Sequence, residues 1–180
     1  MFVQTEVTPN PNSLKFLPGK IVSNKESFEI VKKEQTDNDL VKNILSINGV
    51  TSVFLGSDFL SINKEEAIDW EDIKHIAISL ISEFYLTGKE SIIEDELGVE
   101  KKIELIEIEK QIIKILDTKI RPAVAKDGGD IKFKEFKDGI VKVELQGSCS
   151  GCPSSTMTLK QGVQNLLCHY LPEVKEVIAV

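Results

Sequence analysis

The chain has 180 residues, 41% of them apolar and 28% charged, with a formal net charge of −7. That length and composition suit one large or two small globular domains. The acidic balance, with no Lys/Arg cluster interleaved with aromatics, argues against a nucleic-acid partner, which would need a basic surface to displace counterions. No apolar run approaches the roughly 20 residues that cross a bilayer, so no membrane partner is expected either.

The opening "FVQTEV" alternates and predicts a short strand. "TPNPN" breaks it, and "SLKFLPG" resumes as a second strand with Leu14 and Phe16 on one face. After a polar stretch, Asp37 or Asn38 can cap a helix carrying Leu40, Val41, Ile44 and Leu45, ended by Asn48–Gly49. "VTSVFLGSDFLSINK" predicts a β-hairpin turning at Gly56-Ser57-Asp58. Asp69 then offers an N-cap for a long helix with Ile73, Ile76, Ala77, Leu80, Ile81 and Phe84 at helical spacing, stopping near Gly88.

Residues 88–102 are charge-rich and weakly periodic and read as a linker, a solvated tether between a domain at 1–87 and a second at 103–180. The second domain opens with a helix striped by Leu105, Ile108, Ile112, Ile115 and Leu116, which Pro122 kinks or ends. "KDGGDI" supplies a sharp turn into a strand begun by Ile131 and Phe133. Lys137-Asp138-Gly139 turns back into Val141, Val143 and Leu145. A helix from about Ser154 to Tyr170 and a last strand in "EVKEVIAV" complete the order α-β-β-α-β. Both halves therefore read as α+β.

The chemistry lies between the last two of these elements. Cys149 and Cys152 form a C-x-x-C pair, with Gly151 letting the loop wrap and Pro153 suited to a first helical position. Cys152 is then placed as an N-cap, where unpaired N–H groups favour thiolate, the form that binds metal or attacks disulfides. Three cysteines are too few, and odd in number, for a disulfide framework, and a close pair in a reducing compartment points to metal or redox chemistry. Cys168 lies roughly 20 Å along the predicted helix and away from a stripe of Leu159, Val163, Leu166 and Tyr170, so it reads as incidental. His169 and His75 read as surface or packing residues, Asp127 and Asp130 as turn residues, Trp70 as a packing residue, and Lys160 as exposed.

Two thiols per chain are half the usual four ligands of zinc or a cubane cluster. A second copy across a two-fold axis is the simplest completion. A thioredoxin-like redox protein remains the alternative, although too little chain follows Cys152 for the rest of that sheet. A zinc-bridged dimer also remains open.

"IRPAVAKDGGDI" followed by "GIVKVELQGSCSGCPSSTMTLKQGV" resembles the C-terminal domain of NifU-like (Nfu) iron–sulfur cluster scaffold proteins. The matching elements are Arg121–Pro122, Asp127-Gly128-Gly129-Asp130, Gly147, the Cys149/Cys152 pair with Pro153, and Thr158-Leu159-Lys160. "TPNPNSLKFLPG" and "VFLGSDFLSINK" are similar to the N-terminal domain found with it. The resemblance implies a non-catalytic carrier that binds a 4Fe-4S cluster through Cys149 and Cys152, shared between two subunits. Its implied partners are a second copy, apo iron–sulfur clients and upstream assembly proteins. "MFVQTEV" has neither secretory nor transit-peptide character, so the expected location is cytoplasmic, or the mitochondrial matrix if a presequence has been removed.

Overall fold

The structure is a computed structural model describing residues 2–24, 26–92, 104–150 and 153–180. It is an α+β fold with two sheets and two hydrophobic cores. The N-terminal half runs β1 (Gln4–Val7), β2 (Ser13–Leu17), β3 (Phe28–Ile30), α1 (Asp39–Leu45), β4 (Val50–Leu55), β5 (Leu60–Lys64) and α2 (Trp70–Leu86). Its sheet is antiparallel throughout, in the order β1-β2-β5-β4-β3.

Side chains alternate across these strands, so one set packs inward. Leu14, Phe16, Val53, Leu55, Leu60 and Ile62 share a core with Ile44 of α1 and Ile73, Ala77 and Ile81 of α2. The opposite set is mostly polar. Register aligns Glu6, Lys15, Ser61, Phe54 and Glu29 in one row across all five strands. The predicted hairpin is β4–β5, closed by Gly56 N–H donating to Phe59 O at 2.9 Å. Asn38 caps α1, its Oδ1 accepting Val41 N–H at 3.2 Å. Asp69 occupies the N-cap position of α2 but its side chain makes no capping bond there. Ile76 departs from the expected stripe and is exposed. Strand β3 lies in the stretch read as polar loop; three residues carry no period, and pairing with β4 defines it.

The C-terminal half runs α3 (Glu107–Ile115), a π-helical turn (Leu116–Ile120), α4 (Arg121–Lys126), β6 (Gly129–Lys137), β7 (Ile140–Gly147), α5 (Pro153–Tyr170) and β8 (Glu176–Ala179). The expected α-β-β-α-β order stands, with its first helix drawn in three pieces. Pro122 neither ends that helix nor bends it alone. The wider turn just before it takes up the missing N–H and the ring's bulk. Strands β6 and β7 form a hairpin through Asp138–Gly139, both at positive φ (53° and 81°), the geometry of a type I′ turn. β8 joins β7 in parallel after the α5 crossover. Ile112, Leu116, Val124, Ile131, Val143, Val163, Leu167 and Val177 are among the buried residues of this core. Most of the linker read at 88–102 lies outside the described residues.

Candidate functional site

The far end of the β6–β7 hairpin builds the site. There the start of β6 and the end of β7 lie side by side, with Gly129 opposite Gly147, and the chain enters β6 after Gly128 and leaves β7 at Gly147, both at positive φ, +82° and +67°. Ser148 ties the two turns together. Its N–H donates to Gly128 O at 3.2 Å and its hydroxyl to Asp127 O. Ser150 N–H returns to Gly147 O at 3.2 Å, closing the turn that carries Cys149.

Cys149 points into the core and is 6% exposed. A Cβ on Gly129 would sit 2.7 Å from Cys149 Sγ and 2.6 Å from Gln146 O, so the thiol occupies the room a side chain would need. Burial pushes the Cys149 thiol up to about 11, against a lowering hydrogen bond from Ser148, while Asp127 and Asp130 add to the rise. The expected thiolate-favouring setting therefore does not hold for Cys149. Desolvation outweighs the Ser148 hydrogen bond because the side chain is packed inward.

Gly151 and Cys152 lie outside the described residues, so the wrapping role and the N-cap placement are not seen. Helix α5 does begin at Pro153. At 1.5 Å per residue, the 15 residues from Pro153 to Cys168 carry the third cysteine roughly 22 Å along it. There its thiol donates to Val174 O at 3.2 Å. The buried stripe of α5 is Val163 and Leu167, continuing to Leu171 beyond its end; Tyr170 is exposed and Leu166 half-buried. The expected stripe was one residue out of phase after Val163, and Cys168 consequently packs against the core's edge rather than away from it. His169 stacks edge-on against Tyr170 with ring centroids 5.1 Å apart, and His75 is exposed on α2. Trp70 packs beside the N-terminal core, its Nε1–H donating to Pro11 O at 3.0 Å. Lys160 is half-buried.

Asp130 is an ion-pair residue rather than a turn residue. Burial would push its carboxyl up, but the Arg121 guanidinium and the Ser27 hydroxyl together hold it below the usual carboxylate range. Arg121 meets both oxygens at 2.8 Å and reaches back to Asp117 at 3.1 Å. The turn's entry into β6 is thereby locked to the helix before it. Asp127 contributes its carbonyl to the turn, as expected of a turn residue.

The N-terminal half contributes to this site, which the motif around the cysteines does not announce. Asn10 donates from Nδ2 to Ser148 O at 3.2 Å and Ser150 O at 3.5 Å. Ser61 donates to Gly128 O at 2.6 Å, Asn63 to Gly147 O at 3.2 Å, and Lys15 to Ala125 O at 3.2 Å. Glu29 accepts from the Ser150 hydroxyl at 3.3 Å and from the Gly147 N–H; burial raises its carboxyl above the usual range despite these bonds. A period-two row of polar residues inside otherwise apolar strands is the one signal that could have been followed.

A two-domain α+β chain presenting a cysteine on a glycine-bounded turn before a helix matches family descriptions in both halves. Residues 3–88 match the family described as "Scaffold protein Nfu/NifU N terminal", and residues 112–178 match the "NifU-like domain". The chain belongs to the Nfu/NifU family. It is 44% identical to the human "NFU1 iron-sulfur cluster scaffold homolog, mitochondrial", covering 98% of this chain and 71% of that protein. It is 41% identical to "NifU-like protein 4, mitochondrial" of Arabidopsis thaliana and 46% identical to the Drosophila willistoni NFU1 homolog, again over 98% of the chain. It spans less than two thirds of those last two proteins, 65% and 63% of their lengths. The solution structure of the NifU-like protein from Saccharomyces cerevisiae matches with a TM-score of 0.48 and 31% identity, over 53% of this chain and 87% of that one.

Proposed function

We propose that the protein is a non-catalytic carrier whose cargo is an iron–sulfur cluster. In this reading a 4Fe-4S unit is held by Cys149 and Cys152 of one chain together with the same pair of a second copy, then passed to recipient proteins by exchange of cysteine ligands on iron. The observation that carries it is the placing of the thiols along α5. The Cys149 turn precedes the start of the helix, and Cys168 is near its far end, engaged with Val174 O. By their C-x-x-C spacing, Cys149 and Cys152 are the two thiols that one chain would bring to a shared centre, half of what a cubane needs.

The names of the human and Drosophila relatives, which describe iron–sulfur cluster scaffolds, support the cargo. We read the domains as 1–87 and 103–180, with apo iron–sulfur clients and upstream assembly proteins as further partners. The expected cytoplasmic location finds no support among these relatives. Their names, which say mitochondrial, favour the mitochondrial alternative.

Anaerobic reconstitution with iron and sulfide tests the cargo. The chain should develop a cluster chromophore that Cys149→Ser abolishes and Cys168→Ser leaves intact. Zinc bound in place of iron, or turnover in an insulin-reduction assay without stoichiometric iron, would contradict it.

A further inference from the structure

The polar face of the N-terminal sheet has a buried partner, and that partner is the cysteine turn. Within the row of residues facing away from the N-terminal core, Ser61 is 0% exposed, Phe54 1% and Lys15 8%. An isolated amphipathic sheet would leave such a face in water. Here β3, β4 and β5 each meet β7. Asn10, Lys15, Ser61 and Asn63 together donate to the main-chain carbonyls of Ala125, Gly128, Gly147, Ser148 and Ser150. All of these acceptors except Ala125, near the end of α4, lie on the two turns of the candidate site, and Glu29 accepts the Gly147 N–H between them.

The approach is close. A Cβ on Gly128 would lie 2.8 Å from Ser61 Oγ, and one on Gly147 would lie 3.0 Å from Phe54 Cγ. A polar cleft of about 380 Å³ beside the docked turn is lined by Asn10, Glu29, Ser52, Asn63 and Ser150. Among the described residues, Asn63 Oδ1 at this contact is buried without a hydrogen-bond partner.

We propose that the N-terminal half is an internal docking partner for the Cys149 turn and competes there with the second copy, so that loading requires the halves to part. The proposal rests on the shared-cluster reading above. In this proposal a second chain would bring its own turn to the backbone that flanks Cys149, at Gly147, Ser148 and Ser150, which Asn10 and Asn63 of the polar sheet face already hold. The closed chain guards an unloaded turn, and release exposes the turn and the sheet face together.

Hydroxyl-radical footprinting of the full chain reads this contact at Phe54, which belongs to neither hydrophobic core cluster and abuts Gly147. Ser61→Arg has no room in the closed form, yet on a separated sheet its side chain would face water. The double variant Asn10→Ala with Asn63→Ala removes donors without adding bulk, and circular dichroism checks that each variant keeps its fold. Phe54 should be protected in the unloaded parent chain and oxidised faster, on the order of tenfold, in these variants. It should be oxidised faster in the parent once iron and sulfide are loaded. Equal oxidation in the unloaded parent and in the folded variants overturns the docking. Phe54 staying protected in the loaded parent overturns the competition. If the parent takes up no cluster, the proposed function fails on its own, and the unloaded comparison still decides the docking.

Discussion

Gly129 has no side chain because a thiol stands where one would go. Its absent Cβ would meet Gln146 O at 2.6 Å, and a backbone atom yields less readily than a side chain. We expect Gly129→Ala to cost about 1–3 kcal/mol in urea unfolding, with the Cys149 turn displaced. Cys149 itself sets the pH behaviour. In a full chain carrying Cys152→Ser and Cys168→Ser, its alkylation should keep climbing past pH 9 and level only near 11, where burial has pushed the thiol. Levelling near 9 would mean an open turn. The raised value also has a stability sign: Cys149 supports the folded chain below its ordinary value of 9.0, and that support drains as pH rises through about 11.

At the scale of elements, α5 carries the clearest correction, and it can be tested. Leu167 is buried and Leu166 half-buried. Leu167→Ala should therefore lower stability by about 2–4 kcal/mol and Leu166→Ala by clearly less. Equal losses would restore the stripe expected from the sequence. The hairpins, α1 and α2 were legible because their signals are local: Asn38 as a cap, Asp138–Gly139 as a turn, apolar spacing through Ile73, Ala77 and Ile81. Strand β3 was not, since only its pairing with β4 defines it. Leu166 and Leu167 are adjacent and equally apolar, so spacing alone could not choose between them. The cysteine turn was legible as a motif, but its burial was not. Desolvation of Cys149 depends on packing from β6, β7 and α5, whereas the expected thiolate setting followed from the helix start alone.

For the whole molecule, the least legible feature is the meeting of the two halves. Lys15, Ser61 and Asn63 alternate with apolar neighbours along β2 and β5, and nothing local announces that another part of the chain covers them. The resemblance to Nfu/NifU proteins is carried by Asp127–Asp130, Gly147 and the cysteine pair, and both families of residues matched span most of the chain. The count of ligands then leads outward, since Cys149 and Cys168 sit at opposite ends of the α5 region and one chain supplies only half a cubane's thiols. Native mass spectrometry of the anaerobically reconstituted chain measures this directly. The account predicts a dimer carrying one cluster of about four irons, two per chain. A monomer holding a complete cluster by itself would contradict it.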